Sequence, residues 1–308
     1  MRFTKMHGIG NDYIYIETFT QNVDEAVKKD MVRAFSDRHF GIGGDGVIFI
    51  NPSGEADCEM EMYNADGSRS EMCGNGIRCV GKFIYDQGFT DKTEIEVISA
   101  GKVRGLKMKI VKEEPNRFTG LTYGKREDGM VVGEVTVNMG EAILKPGEIP
   151  VDLKKTGDII TNDINAEKPE ICIMQPVRTT RAEYRMTCVS MGNPHAVIFV
   201  DDPETFPLET EGPELEKHEC FPNKANIEFV KVLDRNNVQM RVWERGTGET
   251  FACGTGACAV AVACILNGFC DDKITVHLRG GDLSITWDRD ANRVFMTGGA
   301  TTVCTGAV

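Results

Sequence analysis

Two stretches of the chain align without gaps and decide the fold: Cys73-Gly-Asn-Gly-Ile-Arg-Cys-Val-Gly-Lys-Phe-Ile-Tyr-Asp-Gln-Gly-Phe89 and Cys253-Gly-Thr-Gly-Ala-Cys-Ala-Val-Ala-Val-Ala-Cys-Ile-Leu-Asn-Gly-Phe269. Each opens with Cys-Gly-x-Gly, continues through about eleven residues compatible with a helix and stops at Gly-Phe, and the two are offset by 180 residues. A repeat of this length predicts a duplicated domain rather than a solenoid.

Polar residues repeat in the same frame as the two predicted helices. Asn11 and Asn193 each follow a glycine, and they lie 62 and 60 residues before the cysteine that opens their repeat. Asn64 and Glu244 each lie nine residues before that cysteine. The duplication therefore extends beyond the helices and includes residues that could surround each cysteine.

Short apolar segments flank both predicted helices. The predicted strands are residues 13–16, 47–50, 95–98 and 106–110 in the first repeat and residues 196–200, 227–230, 238–242 and 283–287 in the second. Several of them alternate apolar and polar residues, which is typical of antiparallel sheets with one buried face. Residues 260–266 are apolar on every side, so we expect that helix to be wrapped by its sheet. Turn residues at 144–147 indicate a boundary between two domains.

The composition is that of an ordinary globular protein and excludes several classes. Of 308 residues, 41% are apolar and 27% charged, the net charge is −12, and the basic residues are scattered. A nucleic-acid binder needs a basic stripe, and a membrane span needs about 18 consecutive apolar residues; the sequence has neither. The N-terminus lacks the continuous apolar region of a signal peptide, so we expect a cytoplasmic protein of two domains.

The chain has eleven cysteines and no Cys-x-x-Cys motif. Their odd number, and the spacings of five or six residues between neighbours near both repeats, argue against a disulfide framework and against a metal site. Most of them, among them Cys79, Cys258, Cys264 and Cys270, are expected to be buried free thiols. A single cysteine before a helix is usually structural, whereas two in duplicated frames, each with adjacent glycines, favour a function.

Each Cys-Gly-x-Gly motif lies where a strand is expected to give way to a helix. The sulfur of Cys73 or Cys253 then lies beside free backbone N–H groups and the positive end of the helix dipole, where a thiolate is stabilised and its pKa falls. The glycines let a ligand approach the backbone, so the same N–H groups could bind a carboxylate. Both motifs therefore predict a reactive thiol at an anion-binding helix start.

Two such thiols facing one small anion suggest stereoinversion. One thiolate would remove an α-hydrogen, and the other thiol would return a proton from the opposite side. The α-hydrogen of an amino acid is very weakly acidic, but helix N-termini can stabilise the charge that grows on the α-carboxylate, more strongly where water is excluded. No pyridoxal site is evident, so we predict a cofactor-independent enzyme.

Other candidates have both a structural and a functional interpretation. His195 could be a structural histidine, but the duplicated Gly-Asn beside it favours a role in the site. Glu244 and Arg245 could be a solvated surface pair, but their position shortly before Cys253 favours ligand binding. The remaining candidates could be turn residues, the usual role of Asn in glycine-rich segments; they are Asn11, Asn64, Asn75, Asn193 and Asn226.

Four motifs resemble those of the diaminopimelate epimerase family. They are Met6-His7-Gly8-Ile9-Gly10-Asn11-Asp12-Tyr13, Met72-Cys73-Gly74-Asn75-Gly76-Ile77-Arg78-Cys79, Met191-Gly192-Asn193-Pro194-His195 and Trp243-Glu244-Arg245-Gly246-Thr247-Gly248-Glu249-Thr250-Phe251-Ala252-Cys253-Gly254-Thr255-Gly256-Ala257. The similarity runs nearly end to end, and the last two motifs together are highly specific. Proline racemases are similar in using two cysteines but typically lack the Glu-Arg-Gly-x-Gly-Glu-Thr lead-in.

The resemblance implies an α/β fold of the α+β type with two pseudo-symmetric domains, each a mostly antiparallel sheet wrapped around a central helix. We expect residues 1–144 and about 298–308 to form the N-terminal domain and residues 145–297 the C-terminal domain. The resemblance also implies conversion of LL-2,6-diaminopimelate to meso-diaminopimelate, for the biosynthesis of lysine and peptidoglycan precursors. It implies no cofactor, no metal and commonly a homodimer.

Roles for individual residues follow from the resemblance, motif by motif. Cys73 and Cys253 are implied to be the acid and base, and His195 and Glu244 to assist them. The residues implied to hold the substrate are Asn11, Asn64, Gly74, Asn75, Asn193, Asn226, Glu244, Arg245, Gly254 and Thr255. Four of these are expected at the distal end of the substrate, namely Asn64, Asn193, Asn226 and Arg245.

Two features depart from the family pattern. Many members carry Gln at the position of Gly46, in Gly41-Ile42-Gly43-Gly44-Asp45-Gly46, so a side-chain contact to the distal end of the substrate is missing or moved. The chain is also longer than the family norm between Cys73 and Asn193. Both departures concern substrate recognition more than the chemistry.

Two alternatives stay open at this point. One is a related cofactor-independent racemase of another amino acid, which would differ in how the distal group is recognised. The other is a non-catalytic module that binds an amino-acid-like ligand. Exchange of solvent deuterium at the substrate α-carbon separates an enzyme from a binding module, and a panel of amino acids separates the two enzymes.

Overall fold

The computed structural model describes residues 1–70, 73–116, 119–156 and 170–308. The α-helices in these ranges are α1 (Lys28–Ser36), α2 (Gly74–Asp86), α3 (Leu208–Glu216) and α4 (Gly254–Leu266). The strands of the first half are β1 (Arg2–Gly8), β2 (Asn11–Glu17), β3 (Gly46–Asn51), β4 (Cys58–Asn64), β5 (Glu94–Ser99), β6 (Lys102–Lys112) and β7 (Met130–Gly140). The strands of the second half are β8 (Gln175–Arg178), β9 (Glu183–Ser190), β10 (Pro194–Phe199), β11 (Asn226–Asp234), β12 (Asn237–Glu244), β13 (Gly248–Glu249), β14 (Lys273–Leu278), β15 (Gly281–Asp288), β16 (Arg293–Gly299) and β17 (Thr301–Ala307).

The chain forms two compact units. Unit 1 comprises Met1–Asn138 and Thr297–Val308, and unit 2 comprises Met139–Met296. The chain passes from one unit to the other within β7 and again within β16. The predicted division into domains at residues 144 and 297 stays a prediction.

The two units have the same strand topology. In unit 1 the order β1–β2–β3–β4–β5–β6 is joined by antiparallel, parallel, antiparallel, parallel and antiparallel pairings. In unit 2 the order β9–β10–β11–β12–β14–β15 is joined by the same kinds of pairing in the same sequence. The repeat in the sequence is therefore a repeat of topology.

Helical crossovers make both parallel pairings of each unit. α1 lies between β2 and β3 and α2 between β4 and β5, and α3 and α4 occupy the same two places in unit 2. Parallel neighbours need such a crossover because the chain must return to the same end of the sheet. The added pairings β6–β7, β1–β17 and β8–β9 are all antiparallel, so antiparallel pairing predominates.

α2 and α4 are the central helices of their units. Every residue of α2 is buried, including the charged Arg78, and α2 packs against β1, β2 and β6. α4 is buried from Gly256 to Ile265 and packs against β9, β10, β11, β14 and β15. Just beyond the two helices Gly88 and Gly268 adopt positive φ values of 77° and 71°, which glycine tolerates because it has no Cβ. The predicted helix wrapped by its sheet is confirmed.

The predicted strands are confirmed as well. All eight segments lie in β2, β3, β5, β6, β10, β11, β12 and β15, with only residue 200 beyond the end of its strand. The predicted α/β class, with a mostly antiparallel sheet around a buried helix in each unit, is also confirmed. Among the described helices, none combines the length and the apolar character that a membrane span requires.

Candidate active site

Cys73 immediately precedes α2 and caps its first turn. Its backbone is extended, with φ −126° and ψ 111°, and its sulfur accepts a hydrogen bond from the N–H of Gly76 at 3.3 Å. The side chain therefore caps the helix, beside N–H groups that the first turn leaves without helical partners. Cys73 is only partly buried, so its sulfur is within reach of a ligand.

On its other side the Cys73 thiol is bound by the amide of Asn11, which a carboxylate orients in turn. The thiol donates to Oδ1 of Asn11 at 3.1 Å, and Nδ2 of Asn11 donates to Asp45 at 2.7 Å. Because Asp45 accepts from the amide nitrogen, the amide oxygen of Asn11 is directed at Cys73. Arg38 in turn lies 2.8 Å from Asp45. Sequence reasoning missed Asp45 as a site residue, although the glycine-rich segment around it was a signal.

The other predicted residues of unit 1 are placed differently from one another. Gly74 and Asn75 form the first turn of α2 and are buried, and Nδ2 of Asn75 lies 3.5 Å from the same Asn11 oxygen. Asn64 ends β4, where its side chain donates to Ser68 at 3.1 Å. No hydrogen bond found within the described ranges joins Asn64 to the Cys73 network.

Cys253 precedes and caps α4 in the same way. Its backbone is extended, with φ −117° and ψ 107°, and its sulfur accepts from the N–H of Gly256 at 3.3 Å. The hydroxyl of Thr255 lies 3.6 Å from the sulfur, and Gly254 is buried in the first turn. Cys253 is 5% exposed, so its thiol is more deeply buried than that of Cys73.

The surroundings of Cys253 favour its neutral thiol. Burial raises the pKa of Cys253 well above its usual range, and the charges of Glu244 and Glu228 add to this effect. Hydrogen bonds from Thr255 and Gly256 act in the opposite direction but are weaker. The prediction that the helix start lowers the thiol pKa is therefore wrong for Cys253, because loss of hydration penalises a thiolate more than one helix N–H group stabilises it.

Glu244 is placed to exchange a proton with Cys253. It ends β12, and its carboxylate accepts hydrogen bonds from the hydroxyl of Thr250 and from the Cys253 thiol. Burial raises the pKa of Glu244 against the opposing effect of these hydrogen bonds. A buried carboxyl group with a raised pKa beside a thiol is suited to acid–base chemistry. Sequence reasoning found Glu244 and missed Thr250, which lies in the same motif.

His195 is connected to Cys253 through two polar side chains. It lies fully buried in β10, with Nε2 3.1 Å from Oδ1 of Asn193. Asn193 donates to Thr255 at 3.3 Å, and Thr255 contacts Cys253. On the other side of the ring, Nδ1 lies 2.7 Å from Oε1 of Glu228. Sequence reasoning did not single out Glu228, although an acid inside the apolar segment 227–230 was a signal.

Asn226 and Arg245 form a second group in unit 2. The buried Asn226 donates to the carbonyl of Pro194 at 3.1 Å and accepts from the N–H of Arg245 at 2.9 Å. Arg245 is exposed, and its guanidinium donates to the carbonyl of Asn223 at 3.1 Å. A guanidinium has five N–H donors, so one bond to a carbonyl leaves others for a carboxylate.

Gly46, which stands where many family members carry Gln, has no room for a side chain. It begins β3 opposite Asn64. A Cβ atom at Gly46 would lie 2.0 Å from the carbonyl oxygen of Tyr63 and 2.9 Å from the ring of Tyr13. The backbone of β3 and β4 therefore leaves room only for glycine at this position.

Gly46→Ala is expected to destabilise the protein by about 1–3 kcal/mol, because the added methyl group overlaps a carbonyl oxygen of the neighbouring strand. Gly105→Ala is the matched control, since Gly105 lies in β6 and has no atom within 4 Å of its Cβ position. It should change the free energy of unfolding by less than about 1 kcal/mol. Urea denaturation measures both values, and equal stability of Gly46→Ala and the wild type would contradict the steric argument.

Of the nine remaining cysteines, eight are buried and Cys304 is partly exposed. Cys79, Cys258, Cys264 and Cys270 are buried, as predicted, and all eleven cysteines are free thiols. In the part of the chain that the structure describes, no group of three or more His, Cys, Asp or Glu side chains is arranged to hold a metal ion.

A known protein family matches the parts of the chain that contain the two cysteines. The model of the diaminopimelate epimerase family matches residues 3–123 and 187–303. Both cysteines and all the residues connected to them lie within the matched ranges. The family model leaves out residues 124–186, which lie in the stretch that we expect to be longer than the family norm.

Known relatives match the whole chain. The diaminopimelate epimerase of Agathobacter rectalis is 50% identical over 100% of this chain and 99% of that protein. That of Acetivibrio thermocellus is 48% identical over 100% of this chain and 98% of that protein. A solved structure of a PhzF-family phenazine biosynthesis protein from Bacillus anthracis covers 100% of this chain and 98% of that chain with a TM-score of 0.65 at 14% identity, which shows a shared fold. By its match to the family model and to these relatives, the chain belongs to the diaminopimelate epimerase family.

Proposed function

We propose that the chain interconverts LL-2,6-diaminopimelate and meso-diaminopimelate without a cofactor, using Cys73 and Cys253 to move one α-proton. The observation that carries the proposal is the duplicated helix start, at which each cysteine caps its helix and accepts from the second following glycine at 3.3 Å. Membership of the family and about half identity to proteins named diaminopimelate epimerase support the choice of substrate.

In this mechanism one cysteine reacts as a thiolate and the other as a thiol. The thiolate takes the α-hydrogen as a proton and leaves its electron pair on the α-carbon, and the thiol then gives its proton to the opposite face. In the reverse direction the two roles exchange. Asn11 supports the thiol form of Cys73 by accepting its hydrogen bond, and Glu244 supports the thiolate form of Cys253 by taking its proton.

The helix starts supply the stabilisation that the carbanion needs. Gly74 and Gly254 occupy the first position of α2 and α4, where backbone N–H groups lack helical partners. A substrate carboxylate bound to these N–H groups can share the charge that develops at the α-carbon. This stabilisation is strongest in a site from which water is excluded, as the burial of Cys253 favours.

Substrate binding is assigned to residues that lie around the two cysteines. The candidates are Asn11, Asn64, Gly74, Asn75, Asn193, Asn226, Glu244, Arg245, Gly254 and Thr255. Of these, Asn226 and Arg245 are joined by a hydrogen bond, and so are Asn193 and Thr255. Asn64, Asn193, Asn226 and Arg245 are assigned to the distal amino-carboxylate of diaminopimelate.

The biological setting is proposed from the family. We propose a cytoplasmic homodimer in which residues 1–144 with 298–308 and residues 145–297 act as two pseudo-symmetric domains. Its product would serve the synthesis of lysine and peptidoglycan precursors. Light scattering of the purified protein tests the dimer.

Incubation with LL-diaminopimelate in D2O tests the function. The expected product is the meso isomer with deuterium at the inverted α-carbon, formed without any added cofactor. Proline, lysine and other amino acids are run in the same assay. Efficient turnover of proline or lysine would favour a related racemase, and absence of exchange with every amino acid would favour a binding module.

Arg245→Lys is expected to lower kcat/KM for diaminopimelate roughly 10- to 150-fold. This corresponds to a loss of about 1.5–3 kcal/mol of transition-state stabilisation. A guanidinium can bind a carboxylate through two parallel hydrogen bonds, a geometry that an ammonium group cannot reproduce. For the same reason lysine, which lacks the distal carboxylate, should be a very poor substrate of the wild type. Steady-state kinetics with both compounds measure the effect.

Arg235→Lys is the matched control for this substitution. Arg235 is also an exposed arginine of unit 2, but its partner is Asp271, at 2.8 Å. Its replacement should leave kcat/KM for diaminopimelate unchanged. If Arg245→Lys behaves like Arg235→Lys, Arg245 is not part of the substrate site.

A further inference from the structure

Glu228 is a wholly buried carboxylate that faces a wholly buried histidine. It lies in β11, and its Oε1 is 2.7 Å from Nδ1 of His195 on the neighbouring parallel strand β10. Both side chains are 0% exposed. The second carboxylate oxygen, Oε2, has no hydrogen-bond partner among the described residues. A buried carboxylate is costly unless a cation balances it, so its retention here needs a reason.

Comparison with unit 1 shows that the start of the helix does not require this carboxylate. Ile48 of unit 1 and Glu228 of unit 2 each lie 25 residues before the cysteine that caps the helix of their unit. A Cβ atom at Gly76 would lie 2.8 Å from Cδ1 of Ile48, and one at Gly256 would lie 2.8 Å from Oε1 of Glu228. The same place beneath the second glycine is therefore apolar in unit 1 and acidic in unit 2. Because isoleucine fills this place in unit 1, packing beneath the helix does not by itself require a carboxylate in unit 2.

A directional chain of hydrogen bonds connects Glu228 to Cys253. Asn193 gives its amide N–H to Thr255 at 3.3 Å, so its oxygen is left to accept from Nε2 of His195 at 3.1 Å. Nδ1 of the same ring lies within hydrogen-bond distance of Oε1 of Glu228, at 2.7 Å. An imidazole that donates through both ring nitrogens, to the Asn193 oxygen and to an ionised Glu228, carries two protons and a positive charge. Reversing the Asn193 amide would instead leave Glu228 as a buried anion beside a neutral ring, which is the costlier arrangement.

The titratable groups beside this pair, among the residues that the structure describes, are acids. Glu244 faces this cluster from β12, Cys253 from the start of α4 and Cys188 from β9. Burial raises the pKa of Glu244 and of Cys253, and the pKa of Cys188 is raised by its hydrogen bond to Cys172 and by burial. All three are acids, so His195 is the group that balances the charge of Glu228.

We propose that Glu228 is a positioning residue that holds His195 in its doubly protonated form, so that hydrogen bonds through Asn193 and Thr255 donate toward Cys253 and stabilise its thiolate as it forms. The inference rests on the proposed function, in which Cys253 takes a proton from the α-carbon. Without Glu228, a cationic His195 would be a buried and unbalanced charge, and the ring would give up a proton. The chain of donors would then lose its fixed direction.

Two measurements on the full-length protein test the role of Glu228. In the ¹⁵N spectrum of the wild type near neutral pH, both ring nitrogens of His195 should be protonated, and in Glu228→Gln the ring should be neutral. The chain has five histidines, so single Gln variants of the other four assign the His195 signals by elimination. In the epimerase assay, Glu228→Gln should lower kcat about 10- to 100-fold, with KM changed less than about threefold. Glu228→Asp, which keeps the charge, should keep the protonated ring and an intermediate kcat.

Glu61→Gln is the control for loss of a buried carboxylate. Glu61 is 6% exposed in β4, where Lys28 binds it at 2.6 Å and Arg69 binds it as well, and it has no part in the proposed site. This variant should melt at a lower temperature but keep kcat. A neutral His195 in the wild type, or a Glu228→Gln variant with the kcat of Glu61→Gln, would overturn the inference. Absence of epimerisation by the wild type would instead overturn the proposed function, and the NMR measurement would still decide the ion pair.

Discussion

Cys73→Ala and Cys253→Ala each lose inversion of diaminopimelate by at least about 10³-fold, because inversion requires a proton acceptor on one face of the α-carbon and a proton donor on the other. Each substitution also removes a helix cap, which should cost about 1 kcal/mol of stability and leave the fold intact. Conversion of LL- to meso-diaminopimelate measures the first effect, and thermal unfolding measures the second.

Exchange without inversion gives a sharper test of the same two variants. In the proposed mechanism each thiol serves one face of the α-carbon, so each variant should exchange the α-hydrogen of at most one stereoisomer with D2O, and the two variants should differ in which isomer they exchange. Cys79→Ala and Cys258→Ala are the controls, since these buried thiols lie inside the same two helices and should leave inversion unchanged. A Cys73→Ala or Cys253→Ala variant that still interconverts both isomers near the wild-type rate would refute the two-base mechanism.

The sequence predicts those parts of the fold that depend on local residue patterns. The helix starts at Cys73 and Cys253 could be placed because a cysteine, two glycines and an apolar run recur at a fixed offset. The eight predicted strands could be placed because each is a short apolar or alternating segment. The parallel pairings within each unit were not predicted, because strand order depends on which segments meet through a helical crossover and not on the segments themselves.

The electrostatics of the site could not be predicted from the motifs. The Cys-Gly-x-Gly motif correctly indicates that N–H groups face the sulfur, but it contains no information on burial. The pKa of Cys253 is raised because strands distant in sequence enclose it and bring Glu228 and Glu244 close. Asp45 was missed for a similar reason, since its role depends on the turn of Asn11 toward Cys73. The same motif thus places a cysteine before each helix, but the two cysteines differ in burial.

Glu244→Gln is expected to lower kcat by about 10²- to 10⁴-fold, because the amide keeps the hydrogen bond from Thr250 but cannot take a proton from Cys253. The same substitution should increase stability at higher pH. Burial raises the folded-state pKa of Glu244 above the value of the unfolded chain, so its favourable contribution is present at low pH and is lost as pH rises through the folded-state pKa. Glutamine does not ionise, so the variant does not lose this stability as the pH rises. The variant should therefore gain stability relative to the wild type near pH 8 and show little gain near pH 4.

Glu249→Gln is expected to change the stability near pH 8 in the opposite direction, and it serves as the control. A hydrogen bond from Arg241 lowers the pKa of Glu249, so this carboxylate contributes stability above its unfolded-state pKa and loses it as pH falls. Its replacement should destabilise the protein near pH 8 and leave kcat largely intact. If Glu244→Gln is less stable than the wild type at both pH values, Glu244 is a structural residue. An inactive variant that is more stable above neutral pH would show that the fold keeps a buried, unfavourable carboxylate at Glu244 because the reaction at Cys253 needs it.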